Sequence, residues 1–182
     1  MTLSREQAQL ALQDMEHMAS RSATLYKYTR MSPHLLLWGC VWMVAYGLSD
    51  LWPGKTGLIW LVADSIGAAA SVCIGRVQGR SVDQQGRRTG PVILTIAAFV
   101  TATFAILPPH SSKQIAAFIP MVVAAVYILL GIWHGRRLVI TGMLIGMLTL
   151  LGFFMLHSHF NLWMAAVGGG ALILTGLWLR RV

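Results

Sequence analysis

The 182-residue chain is 56% hydrophobic and only 11% charged, against about a quarter charged residues in soluble domains, which excludes an ordinary water-soluble fold. A formal charge of +8 invites a nucleic-acid reading. Most of the bases flank apolar runs, however, where they act as topology determinants, so no nucleic-acid partner is expected. Cys40 and Cys73 lie inside apolar runs with no CxxC pattern, which argues against a disulfide framework. No cleavable signal peptide is expected, because about 30 largely polar residues precede the first apolar run.

Taken in order, residues 4–30 read as a helix outside the membrane. Ser4 and Gln7 resemble a capping box. Ala8, Leu12, Met15, Ala19, Ser22 and Tyr26 form a narrow apolar seam. Glu6, Asp14 and Glu16 come early and Arg21, Lys27 and Arg30 late, the order the helix dipole favours. The basic half, with Tyr26 and Tyr28, suits an anionic lipid surface. Residues 1–32 are therefore expected to be a cytoplasmic amphipathic leader, lying on the bilayer or docking a partner protein or a second copy.

Pro33 opens the first of six apolar runs, at about 34–52, 57–75, 91–107, 114–133, 138–156 and 161–179. Each is close to the ~17–25 residues that cross a bilayer, the third being the shortest. Trp52-Pro53-Gly54-Lys55 and Pro108-Pro109 break the chain between runs, and 76–90 reads as a polar loop. Residues 33–182 thus predict an all-α bundle of six transmembrane helices arranged as three hairpins. Twelve of the fourteen Lys and Arg fall on one side of this layout, leaving only Lys55 and Lys113 on the other. The positive-inside rule then puts both termini in the cytoplasm of a multi-pass protein of the cell inner (plasma) membrane.

The second run carries the most informative residue, Asp64, followed by Gly67, Ser71 and Gly75 at four-residue spacing. Small residues at that spacing let a neighbouring backbone approach, and an acid at this depth must find protein or water. This run is the expected packing centre. The hairpin turn at 53–55 sets Asp64 opposite residues 44–46, so Tyr46 is the expected hydrogen-bond donor. Asp64 is read three ways: a protonated structural carboxyl, a proton or cation relay, or a seat for a cationic ligand. The first run adds a row at four-residue spacing, His34, Trp38, Trp42, Tyr46 and Asp50, read either as the wall of a pathway or as aromatic packing. Asp64, Tyr46, Trp42 and Asp50 make up the candidate intramembrane polar site.

Elsewhere, Gly142 and Gly146 mark a close-packing face on the fifth run, and Gly168-Gly169-Gly170 a packing or flexible point on the sixth. His110, His157 and His159 are weak metal candidates, since they lie on turns and no carboxylate or cysteine joins them. Met143, Met147 and Met155 read as adaptable packing. Without a nucleophile elbow, phosphate loop or HExxH motif, no enzyme activity and no cofactor are expected. The reading is a non-enzymatic integral protein that acts through association with itself or a partner, in a regulatory, sensing or structural role. The alternative is a small-solute or ion transporter or channel organised around Asp64.

Overall fold

A lipid environment offers no water to backbone amides, so apolar runs of this length satisfy them internally, as helices. The computed structural model describes residues 5–79, 82–156 and 158–180, and among these the chain is helical with no strand. The helices are α1 (Arg5–Leu51), α2 (Thr56–Val77), α3 (Val82–Ile106), α4 (Ser112–His134), α5 (Arg136–Met155), α6 (Phe160–Trp163) and α7 (Gly170–Arg180). A 3-10 turn at Pro53–Lys55 precedes α2, and a π-helical segment, Met164–Gly169, joins α6 to α7 into one span. Five stretches are long and apolar enough to cross a membrane: Tyr28–Leu51, Pro53–Val77, Ser112–Trp133, Arg136–Met155 and Phe160–Arg180. The apolar part of α3, Gly90–Ile106, is shorter.

The expected leader runs into the first span without a break, since α1 is a single 47-residue helix with Pro33 inside it. Proline removes one backbone donor and crowds the preceding turn, a local cost that neighbouring packing absorbs. Most of the expected 76–90 loop is also helix, since α3 begins at Val82 and takes Pro91 into its interior. Polar residues there extend a helix rather than interrupt it.

The packing centre is likewise not α2. Only Gly67 and Gly75 are buried in it, while Leu61 and Ile66 are 65% and 61% exposed. The core lies between α1 and the last span. There Gly39 faces Gly169, and a Cβ on either glycine would stand 2.9 Å from the other's carbonyl oxygen. Gly176 is packed against Leu36 in the same way, its would-be Cβ 2.8 Å from Leu36 Cγ. The Ser32 hydroxyl donates to the Gly176 carbonyl at 2.6 Å. Leu35, Trp42, Ala45 and Tyr46 on α1, and Met164, Leu172 and Leu179 opposite, are buried.

The second tight pair is α4 and α5. They are joined through Gly135, whose φ of +123° suits glycine. Gly142 faces α4 so closely that a Cβ would come within 2.6 Å of the Ala124 carbonyl oxygen. Gly146 lies one turn on, at an ordinary 3.5 Å from the Ala124 side chain. At one end of the bundle Arg137 lies over the Tyr28 and Trp178 rings and donates to the Trp178 carbonyl at 3.0 Å. There too, Arg30 and Gln78 exchange side-chain-to-backbone hydrogen bonds. At the other end Lys113 donates to the Phe153 carbonyl at 2.7 Å and sits over the Phe153 and Phe160 rings. That carbonyl belongs to the last turn of α5, where helix geometry leaves acceptors without intrahelical donors. Lys113 therefore acts as a C-terminal cap.

The candidate intramembrane site

Tyr46 stands where three helices meet. Its ring makes edge-to-face contacts with Trp42 at 6.0 Å and with Trp60 of α2 at 4.8 Å, the geometry that aromatic quadrupoles favour. The side chain is 1% exposed, and its hydroxyl donates to the Ala116 carbonyl of α4 at 2.7 Å. That acceptor has a specific origin. An α-helical carbonyl bonds the amide four residues on, and four residues after Ala116 comes Pro120, inside α4. Proline has no N–H to offer, and the Tyr46 phenol supplies the missing donor. Neither Pro120 nor its distant partner shows a pattern in the sequence that links the two.

This engagement overturns the expected Tyr46–Asp64 hydrogen bond. A phenol has one proton to donate, and here it goes to Ala116. Asp64 is exposed and makes no hydrogen bond or ion pair to any described residue. It falls on the α2 stripe that includes Trp60, Gly67 and Ser71. Gly67 meets α1 at Trp38 and Val41, where a Cβ would stand 3.2 and 3.3 Å away. Asp64 stands where that stripe borders the exposed face, with its carboxylate near enough to the Tyr46 phenol to act on it electrostatically. Around it on the exposed face are Leu61, Ser65, Ala68 and Val72. Ser65 turns its hydroxyl back to the Leu61 carbonyl at 2.7 Å, while the buried Ser71 hydroxyl has no protein partner. Asp64 lies about 12 Å along the axis from Thr56 and about 18 Å from Arg76, at ~1.5 Å per residue, well inside the span.

The row on α1 is packing along most of its length. Trp42 is 5% exposed and lies against Gly168, whose would-be Cβ is 3.4 Å from its ring. Trp38 covers Gly67, Tyr46 serves α4, and Asp50 is half-buried near the Pro53–Lys55 turn. The buried hydroxyl of Ser49, beside Asp50, has no protein partner.

Of the histidines, His110 and His159 are exposed, and His157 lies outside the described residues. His110 Nδ1 is 2.9 Å from the Pro108 carbonyl, and its backbone N–H donates to Gln114. Among the described residues no three His, Cys, Asp or Glu side chains come together as a metal site would need. The residues that sequence reasoning passed over are Gly39, Gly152 and Pro120. Gly152 admits the Trp163 ring, whose indole N–H donates to the Leu148 carbonyl at 2.9 Å. A single small residue without a four-residue repeat gives no periodic signal, which is why none stood out. No family model, no curated protein and no solved structure matches this chain.

Proposed function

We propose that this is a non-enzymatic membrane protein that works by lateral association in the bilayer, with the exposed face of α2 as its contact surface and Asp64 at the centre. The carrying observation is the exposure of Asp64 within a span, with no hydrogen-bond or ion-pair partner among the described residues of its own chain. A carboxylate at that depth costs roughly 2.5–3.5 kcal/mol or more against lipid. A polar group on a neighbouring helix removes that cost, and Ser65 and Ala68 beside it are small enough to let the neighbour come close. The neighbour is a second copy or another membrane protein.

The same proposal takes the bundle as six-spanning. α3 starts beside the arginine-rich end and reaches the other, where Phe104 meets Phe118 of α4 at 5.0 Å. Its 25 residues extend about 37 Å at ~1.5 Å each. The gathering of Arg30, Arg137 and Gln78 contacts at one end, with Lys113 at the other, supports termini on the cytoplasmic side of a plasma membrane.

The test is the mass of the protein extracted into native lipid discs. The wild type should run as an oligomer or with a bound partner, and Asp64→Leu as a monomer. A monomeric wild type without a partner, or an assembly indifferent to Asp64→Leu, contradicts the proposal.

A further inference from the structure

The flank of α2 opposite Asp64 carries a different feature. The α1–α2 hairpin is closed at Gly67, but nearer its turn the two helices leave an open groove of about 460 Å³. Val44 and Leu48 of α1 line it, with Val62, Ala63 and Ile66 of α2, and Trp52 and Lys55 stand at its mouth. We propose that this groove binds one acyl chain of an anionic glycerophospholipid, with the lipid phosphate on Lys55.

Three features carry this. The first is length. From Lys55 to Ile66 the groove follows eleven residues of helix, about 16 Å at ~1.5 Å each. That is half of a hydrocarbon core of about 30 Å, the depth of one leaflet and hence of one lipid tail.

The second is composition. Val44, Leu48, Val62, Ala63 and Ile66 offer no hydrogen-bonding side chain along that length, which suits a hydrocarbon tail and leaves the polar groups of an occupant to the mouth.

The third is charge. Lys55 is exposed and forms no ion pair with a described residue, and the groove below it is lined almost wholly by apolar side chains. An ammonium above an apolar slot matches an anionic headgroup above its tail, and Trp52 beside it suits the headgroup level. The first turn of α2 has no side-chain cap, so its dipole adds positive potential at the same point.

The experiment uses the full chain, purified in mild detergent with an equal mixture of phosphatidylglycerol and phosphatidylcholine, and reads retained lipids by native mass spectrometry. The wild type should retain one phosphatidylglycerol in at least fivefold preference over phosphatidylcholine. Lys55→Glu, an exposed change that leaves the core alone, should abolish that preference. Ala63→Phe should fill the slot and remove the retained lipid with helicity and elution volume unchanged. Should that variant misfold, Val44→Trp, at a position 57% exposed, does the same work. Equal retention of the two lipids, no retention, or retention undiminished by the filled groove overturns the proposal. The lipid site and the Asp64 contact lie on opposite flanks of α2, so either can fail without the other.

Discussion

Gly39 and Gly169 hold α1 and the last span together at backbone contact, each presenting its carbonyl oxygen 2.9 Å from where the other's Cβ would be. Neither neighbour is a flexible side-chain tip, so the contact has little room to relax. Replacing Gly39 or Gly169 by Leu should therefore cost about 3 kcal/mol or more, at the upper end of over-packing effects. Gly170→Ala is the control, since a Cβ there meets nothing within 4 Å. Unfolding in detergent should show both Leu variants strongly destabilised and Gly170→Ala near wild type. Equal behaviour of all three would place the core elsewhere.

The phenol that substitutes for a missing amide gives a second prediction. Tyr46→Phe leaves the Ala116 carbonyl without its donor and should destabilise by about 1–3 kcal/mol, the cost of an unmet buried acceptor. Pro120→Ala restores an amide four residues after Ala116, so in that background Tyr46→Phe should cost clearly less. A double-mutant cycle measures the difference directly. Strict additivity would mean that the phenol does not serve the proline gap.

Lys113 closes the far end of α5. Lys113→Met keeps the stem and removes the charged donor to the Phe153 carbonyl, together with its seat over two aromatic rings. The expected loss is about 1.5–3 kcal/mol, the range of hydrogen bonds from charged groups. Thermal unfolding with circular dichroism reads it, and an unchanged midpoint would remove Lys113 from the stability of that end.

Orientation is tested by labelling single cysteines placed at positions 84 and 111 after Cys40 and Cys73 are replaced. A membrane-impermeant reagent on intact cells should reach 111 and not 84. The reverse pattern would invert the bundle.

The helical runs and their breaks were legible in the sequence because each depends on local composition. Pro53-Gly54 and Pro108-Pro109 interrupt the helices where they stand. Helix partnership was not legible, because it is set by single close contacts. Gly67, Ser71 and Gly75 carry the strongest small-residue pattern, yet the isolated Gly39 makes a closer contact than Gly67, with a would-be Cβ 2.6 Å from its nearest neighbour against 3.2 Å. Pro33 and Pro91 looked like boundaries and are helix interiors, since each deletes one hydrogen bond without ending the helix. At the candidate site the depth of Asp64 was legible and its surroundings were not. The expected donor, Tyr46, was already claimed by a carbonyl that only the proline of another helix leaves open.

The most direct measurement is photo-crosslinking in native membranes from position 68, on the exposed face of α2 one turn from Asp64. With a photoreactive residue replacing Ala68, the wild-type background should give a protein adduct of defined mass, either a second copy or one partner. Asp64→Asn should keep that adduct, because the amide still makes hydrogen bonds across a helix contact, and Asp64→Leu should lose it. Lipid adducts alone, or a protein adduct equally strong with Asp64→Leu, would contradict association through this face.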